Sequence, residues 1–241
     1  MPRDEELLMR IALAQLSSDP RDLLERHIEA ITAAAKEGCA LVAFPELSLT
    51  GYHPTTATQA PLRLDEMRIT ALEEACQANA ISALVGAPLA TDAGVLIATL
   101  SIDPGRRACW YAKRHLHEDE TPFFVEGDRE PLLECGGARV GIAICYELFI
   151  PEHRQRITSH SPHLIIASVA KHARGLERAR SALSEHARAH HTPTLLVNGA
   201  GPCEGFVAAG GSGWFDVDGA DREHLGTQPG LLVIDLPSAA S

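Results

Sequence analysis

The fold is decided by one stretch of the sequence, Arg139–Val140–Gly141–Ile142–Ala143–Ile144–Cys145–Tyr146–Glu147. Residues 140–144 form an apolar run rich in β-branched side chains, which is typical of a strand buried on both faces. The pair Gly136–Gly137 precedes this run and indicates a tight turn from an earlier one, Leu132–Cys135. The sequence therefore predicts a hairpin whose second arm crosses the protein interior and ends at Cys145.

A helix is expected shortly after Cys145. Residues 148–157 predict that helix, and Pro151 is tolerated in its first turn. In open α/β sheets functional groups gather at the carboxyl ends of the strands, where backbone N–H groups stabilise a thiolate or an oxyanion. Cysteine is also among the residue types most often buried for packing alone. The position of Cys145 by itself therefore leaves a nucleophile and a packing residue both open.

Length and composition exclude several classes of protein. The chain has 241 residues, 45% of them hydrophobic, so we expect a single domain over residues 1–241. Its formal net charge of −11 argues against a nucleic-acid or anionic-membrane surface as partner. No apolar run approaches the roughly 20 residues of a membrane helix, and residues 1–6 are too charged for a signal peptide. We therefore expect a cytoplasmic protein.

Cysteines and histidines give no metal signature. The six cysteines include no C-x-x-C spacing, which indicates neither a disulfide framework nor a zinc site. His115 and His117 form an H-x-H pair without a matched carboxylate in register, and we interpret them as a polar surface pair. We therefore expect no metal, and we interpret the cysteines other than Cys145 as buried thiols.

The first half of the chain alternates strands and helices. Residues 10–16 and 40–44 predict strands. The segment between them predicts a helix that is capped by Asp19 and has Pro20 at its first position. Strand, helix and apolar strand in this order indicate a parallel pair with a right-handed crossover.

The pattern changes to hairpins after Gly94. Two runs, residues 94–100 and 107–111, flank the turn sequence Asp103–Arg106 and predict an antiparallel pair. Later strands are expected over residues 163–169, 194–198, 206–209, 213–217 and 231–235, with a long helix over 176–191. This mixture predicts an α/β fold in which a mixed sheet packs face to face with a second sheet and the helices lie outside.

Three polar residues follow three of the predicted strands. Glu46 stands after one strand, Lys113 after another and Cys145 after a third. Together these residue types fit nucleophilic catalysis: Glu46 as general base, Cys145 as nucleophile, and Lys113 as the cation for a developing oxyanion.

These residues and the segments around them resemble the nitrilase (carbon–nitrogen hydrolase) superfamily. The matching segments are Phe44–Leu47 with Gly51–Tyr52, Tyr111–Leu116, and Gly141–Glu147 followed by Pro151–Glu152. The resemblance covers nearly the whole chain, from Ile11 to Leu236, and implies a four-layer αββα sandwich whose subunits pair across helices into a homodimer or larger oligomer. It also implies a second glutamate, Glu120, which holds Lys113 protonated and positions the substrate.

The activity that the resemblance implies is hydrolysis of a small amide through a thioester on Cys145, with no metal or organic cofactor. Tyr146 stands where true nitrilases place Trp, which favours the amidase-like branch. The residues expected to bind substrate are Tyr52, Phe123, Tyr146, Phe149 and Ala170. Nitrile or N-carbamoyl-amine hydrolysis, acyl transfer to another acceptor, and a non-catalytic ligand-binding role stay open as alternatives.

The polarity of the substrate is predicted from Phe149. Several members of the superfamily that bind a substrate carboxylate carry an Arg at the matching position. We therefore expect a neutral or apolar amide here, because a buried carboxylate without a cation loses its hydration uncompensated. The loop of residues 169–174 contains Lys171 and Arg174, which are the alternative source of a cation.

Overall fold

The structure is a computed structural model that describes residues 8–19 and 21–237. The strands of this described part are β1 (Leu8–Gln15), β2 (Leu41–Ala43), β3 (Ser82–Thr91), β4 (Gly94–Ile102), β5 (Cys109–Ala112), β6 (Leu132–Cys135), β7 (Ala138–Ile144), β8 (Leu164–Val169), β9 (Thr194–Asn198), β10 (Ala200–Cys203), β11 (Phe206–Ala209), β12 (Gly213–Phe215), β13 (Asp221–His224) and β14 (Gly230–Pro237). The helices are α1 (Leu23–Lys36), α2 (Pro54–Ala57), α3 (Met67–Asn79), α4 (Pro151–Ser159) and α5 (Ala173–His190), with a 3-10 helix over Cys145–Phe149.

Two six-stranded sheets form the centre of the molecule. The first has the strand order β14-β1-β2-β3-β4-β5 and the second β13-β12-β9-β8-β7-β6, while β10 and β11 form a separate hairpin. The pairs β1–β2 and β2–β3 are parallel, as are β7–β8 and β8–β9. Antiparallel strands complete both sheets on either side of these parallel centres.

The alternation of side chains along β1 shows how the layers pack. Ile11 and Leu13 belong to the core between the sheets, while Ala12 and Ala14 belong to a second core with Ile31 of α1. The sheets are joined directly by a hydrogen bond of 3.0 Å from Ser168 Oγ to the Phe44 carbonyl oxygen.

The helices cover the outer faces of the two sheets. Leu72 of α3 packs with α1 against the first sheet. Ile157 of α4 and Leu183 of α5 pack against the second sheet. The four-layer αββα sandwich is therefore confirmed. The single domain stays a prediction, which the core shared by both sheets supports.

The predicted parallel pair and both predicted hairpins are confirmed. Thr99 pairs with Tyr111 in one hairpin, and Leu133 pairs with Val140 in the other. Three short elements were not predicted, namely α2, β10 and β13.

The predicted start of the first helix is wrong. Helix α1 begins at Leu23, after Asp22 with a left-handed φ of 57°. The Asp19 carboxylate instead accepts a hydrogen bond from the Arg21 backbone N–H (3.1 Å), which belongs to the turn before the helix. Pro20, the predicted first residue of the helix, lies outside the described residues.

The described residues were compared with the requirements of a membrane-spanning helix and of a metal site. In residues 8–19 and 21–237, no helix combines the length and apolar character needed to cross a membrane. Within the same ranges, no group of three or more His, Cys, Asp or Glu side chains is arranged to hold a metal ion.

The segment after β2 crosses the middle of β3 at very short range. A Cβ atom on Gly86 would lie 2.1 Å from the Pro45 carbonyl oxygen and 2.6 Å from the Leu47 nitrogen. The Gly86 carbonyl oxygen accepts a hydrogen bond from the Leu49 N–H at 2.9 Å. Only glycine therefore lets the segment that carries Glu46 lie against β3 in this position.

We expect Gly86→Ala to lower the free energy of unfolding by about 1–3 kcal/mol, because the methyl group collides with backbone atoms that cannot move independently. Urea denaturation followed by circular dichroism measures this change. Gly226→Ala is the control, since a Cβ at the exposed Gly226 meets nothing within 4 Å. Equal stability of the two variants would contradict the close approach.

Candidate active site

Cys145 lies at a sharp bend between β7 and the 3-10 helix. Its φ of 51° is in the left-handed region, which costs a non-glycine residue about 1–3 kcal/mol. The bend starts the 3-10 helix at Cys145 itself, so the predicted helix over residues 148–157 divides into this 3-10 turn and α4, with Pro151 in the first turn of α4 as expected. The strained turn presents the thiol at the end of the strand, where a cavity opens.

The carboxylate of Glu147 holds this bend in place. Glu147 is completely buried, and its Oε2 accepts a hydrogen bond from the Ile144 N–H at 2.8 Å. Its Oε1 accepts from the Tyr111 hydroxyl at 2.6 Å and from the Arg114 N–H at 2.7 Å. One side chain thus fastens the end of β7 to the segment that follows β5. Because Lys113 belongs to that segment, Glu147 fixes Cys145 and Lys113 relative to each other.

The ammonium group of Lys113 lies between two carboxylates. Its Nζ donates to Glu46 Oε1 at 2.8 Å and to Glu120 Oε1 at 2.6 Å. The three residues are 0%, 3% and 1% exposed, respectively. Burial on its own would lower the pKa of Lys113, but the negative charges of Glu46, Glu120 and the ionised form of Cys145 outweigh it and raise that pKa. Lys113 is therefore a permanent cation with one N–H not used by the two carboxylates.

The two glutamates differ in how completely they are hydrogen-bonded. Glu120 accepts from Lys113 and from the Tyr52 hydroxyl (2.9 Å) on Oε1, and from the His117 N–H (2.8 Å) on Oε2. Glu46 accepts only from Lys113, and its buried Oε2 has no partner among the described residues. Burial raises the pKa of Glu46, the Lys113 charge opposes this rise, and the Glu120 charge adds to it. Glu46 is thus the carboxylate with an oxygen free to accept a proton.

The Cys145 thiol is protonated at neutral pH. Burial raises its pKa to about 11, with a further contribution from the Glu46 charge, while the charges of Lys171 and Lys113 act in the opposite direction. The mutual effects of Glu46, Lys113 and Cys145 on their pKa values show that the three groups form one electrostatic cluster. A neutral thiol needs a base to become a nucleophile.

A cavity of about 240 Å³ opens at the thiol. Its walls are formed by Tyr52, His117, Asp119, Glu120, Cys145, Tyr146, Phe149, Ala170, Lys171, His172, Gly175, Arg178 and Phe206. Tyr52 and Ala170 also border a smaller adjoining cavity that Glu46 lines. This volume is below the roughly 300–1,000 Å³ of most small-molecule sites, so it suits a short substrate.

Four of the five expected substrate-binding residues line this cavity, and Phe123 does not. Phe123 is 37% exposed, whereas its neighbour Phe124 is 4% exposed and part of the core. The N–H groups of both residues donate to the Glu120 carbonyl oxygen, at 2.9 and 3.0 Å. The resulting tight turn directs Phe124 inward and Phe123 outward.

Sequence reasoning missed the role of Glu147 and the presence of Arg178 in the cavity wall, and it named Lys171 only as an alternative source of a cation. Glu147 lies two positions after Cys145, but the sequence does not show which groups donate hydrogen bonds to its carboxylate. Its signal was a carboxylate three residues after the end of an apolar strand, where a buried carboxylate needs hydrogen-bond donors. Cys109 also differs from expectation, because it is exposed rather than buried.

Comparison with known proteins shows the family to which the chain is similar. A family model described as Carbon-nitrogen hydrolase matches residues 10–240. An (R)-stereoselective amidase from Pseudomonas sp. is 28% identical over 210 residues, which cover 85% of this chain and 76% of that amidase. A glutamine-dependent NAD(+) synthetase from Xanthomonas campestris pv. campestris is 29% identical over 88% of this chain, which spans only 40% of that relative.

A solved structure shows the same architecture. An amidase of the nitrilase superfamily from Nesterenkonia sp. AN1 superimposes with a TM-score of 0.86 at 26% identity, covering 98% of this chain and 93% of that one. A further structure of that amidase shows the acetamide moiety of fluoroacetamide added covalently at its active-site cysteine. Another contains acrylamide in complex.

We expect Glu147→Gln to lower both stability and turnover. The amide group offers one acceptor oxygen to donors that now share two, so a buried N–H loses its partner at a cost of about 1.5–3 kcal/mol. The displaced Cys145 bend should reduce kcat more than it raises KM. Thermal unfolding and steady-state kinetics of ammonia release measure the two effects. Glu152→Gln, at an exposed position of α4, is the control, and an equal kcat in the two variants would contradict the role of Glu147.

Proposed function

Because the chain belongs to the carbon–nitrogen hydrolase family, we propose that it hydrolyses a small linear amide to a carboxylic acid and ammonia through a thioester on Cys145. The chain is a hydrolase of the nitrilase superfamily, and a solved structure similar to it is that of an amidase. The observation that carries the proposal is the unpartnered Oε2 of Glu46 in the same cluster as a neutral thiol and a fixed ammonium group.

The first half of the reaction forms the thioester. Glu46 Oε2 takes the proton of Cys145 as the sulfur attacks the amide carbon, and the carbonyl oxygen becomes an oxyanion. The free N–H of Lys113 and the Tyr146 backbone N–H stabilise that oxyanion, each worth about 3–4 kcal/mol. The C–N bond then breaks, Glu46 returns its proton to the leaving nitrogen, and ammonia departs.

The second half returns the enzyme to its starting state. Glu46 takes a proton from a water molecule as the water oxygen attacks the thioester carbon. The tetrahedral intermediate collapses, the C–S bond breaks, and the proton returns to the sulfur of Cys145. The sum of both halves is one amide and one water converted to one carboxylic acid and one ammonia.

Glu120 is assigned to positioning in this scheme. Its oxygens are occupied by Lys113, Tyr52 and the His117 N–H, so neither is free to accept a substrate proton. It keeps Lys113 charged and oriented, and it fixes the Tyr52 ring at the cavity wall.

Nitrile and N-carbamoyl-amine hydrolysis on the same Glu–Lys–Cys triad are the alternatives. Ammonia release from matched amides, nitriles and N-carbamoyl compounds separates them. Association into a homodimer or larger oligomer and residence in the cytoplasm stay predictions from the sequence.

We expect ammonia release from propionamide to be abolished in Cys145→Ala. Glu46→Gln should lower kcat/KM by about 10²–10⁴-fold, because the general base is lost while the shape of the side chain is kept. The exposed Cys109 provides the matched thiol control, and Cys109→Ser should retain full activity. Turnover in Cys145→Ala would contradict the mechanism.

The same variants test the thioester directly. An activated ester such as p-nitrophenyl propionate acylates a thiol without needing a protonated leaving group. Intact-mass spectrometry should show a propionyl group that persists on Glu46→Gln, and peptide mapping should locate it on Cys145. An acyl group on any other residue would contradict the assignment of the nucleophile.

We expect kcat/KM to rise with pH along a single acid limb and then level off. Glu46 acts as a base only when deprotonated, and burial raises its pKa, so the midpoint should lie above its ordinary value of 4.5. The Cys145 pKa of about 11 keeps the resting thiol neutral, so no second rise should occur near the pKa of a free cysteine, about 8.5. Initial rates with propionamide between about pH 4 and pH 10 measure the profile. A second rise near pH 8.5 would indicate a thiolate nucleophile instead.

A further inference from the structure

Two cations lie over one aromatic ring in the wall of the cavity. Lys171 Nζ is 5.3 Å from the centre of the Phe149 ring, and the guanidinium carbon of Arg178 is 5.1 Å from the same centre. All three residues line the cavity that contains Cys145. Arg174, the other cation considered from the sequence, is absent from this lining, and Arg178 one turn later along α5 takes that place.

The buried side-chain amide of Asn198 holds the backbone of Lys171 in place. Asn198 is 0% exposed; its Oδ1 accepts from the Lys171 N–H at 2.9 Å, and its Nδ2 donates to the Lys171 carbonyl oxygen at 3.1 Å. The aliphatic part of Lys171 packs on Gly175, where an added Cβ would lie 3.1 Å from Lys171 Cδ. The ammonium group therefore extends from a rigid support, which reduces the entropy lost when a ligand binds.

Neither cation has an acidic partner within residues 8–19 and 21–237. Other arginines of the chain do, for example Arg180 with Asp221 and Arg156 with Glu130. The acids that line the same cavity are already engaged, since Asp119 bonds to His117 Nδ1 at 2.5 Å and Glu120 bonds to Lys113. Two like charges near one ring repel each other until an anion lies between them. In a chain with a net charge of −11, two neighbouring cations without an acidic partner among the described residues indicate a site for an anion.

We propose that the acyl group of the substrate ends in an anion, a carboxylate in the simplest case, that binds between Lys171 and Arg178 over the Phe149 ring while the amide lies at Cys145. This inference rests on the proposed amide hydrolysis and adds the substrate class, a short monoamide of a dicarboxylic acid or a close relative. Charge-assisted hydrogen bonds from the two cations offset the desolvation of the carboxylate.

The proposal reverses the substrate polarity expected from Phe149 in the sequence. That expectation treated the loss of an arginine at this position as the loss of the anion site. In the structure the ring is a platform for two cations that come from other segments, the loop after β8 and helix α5. The charge is supplied at the same wall of the cavity from elsewhere in the chain.

The test compares two amides of matched length: succinamate ends in a carboxylate, and butyramide has a methyl group in its place. We expect the wild-type chain to prefer succinamate by at least about tenfold in kcat/KM, equivalent to about 1.4 kcal/mol. Lys171→Met and Arg178→Met keep an unbranched, flexible side chain and remove its charge, and each should lower the succinamate-to-butyramide ratio about tenfold. Arg174→Met is the matched control and should leave the ratio unchanged.

The outcomes separate this inference from the proposed function. A wild-type preference for butyramide, or a ratio that stays the same in Lys171→Met and Arg178→Met, would overturn the anion site and leave amide hydrolysis intact. Failure to release ammonia from succinamate, butyramide, glutamine and propionamide alike would overturn the proposed function itself. If the ratio is also reduced in Arg174→Met, the preference arises from the overall positive charge of α5 rather than from Lys171 and Arg178. That result would overturn the proposal.

Discussion

The site depends on a single buried cation. An ammonium group removed from water loses several kcal/mol of hydration unless anions replace it, and Lys113 obtains those anions from two different loops, through Glu46 and Glu120. Two carboxylates against one ammonium leave an excess of negative charge and one carboxylate oxygen, Glu46 Oε2, without a donor among the residues that the structure describes. Burial, reinforced by the Glu120 charge and opposed by the Lys113 charge, raises the pKa of Glu46, so the same cluster that keeps Lys113 charged also holds a base. Stabiliser and base are two results of one electrostatic arrangement.

Holding these charges together requires unusual backbone positions. Leu47, directly after Glu46, and Cys145 itself both have a left-handed φ, of 50° and 51°. Specific contacts support each position: Gly86 leaves room for the segment that contains Leu47, and Glu147 accepts a hydrogen bond from the Ile144 N–H next to Cys145. The strain is local, and the two sheets that carry the segments supply the rigidity that sustains it.

The sequence predicted those parts of the molecule whose signal is local. Strands buried on both faces appear as apolar runs, and Glu46, Lys113 and Cys145 could be recognised because each lies shortly after the end of such a run. Phe123 and Phe124 could not be distinguished, because the turn at Glu120 decides which ring faces inward. The sequence offered Lys171 only as an alternative source of a cation, and Arg178 was missed. The two residues are seven positions apart and lie over Phe149, which belongs to a third segment, and the packing of α5 on the second sheet brings the three together.

The anion site and the catalytic cluster are electrostatically connected through Lys171. Its positive charge lowers the pKa of both Glu46 and Cys145, so in the free protein it weakens Glu46 as a base. A carboxylate bound at Lys171 would offset that charge at the distance of the cluster, and the pKa of Glu46 would rise as a result. A substrate with the proposed anionic end would therefore strengthen the base that takes the proton of Cys145 as the sulfur attacks its amide, whereas a neutral amide of equal length would not. The specificity of binding and the strength of the base then have a common origin in one unpaired lysine.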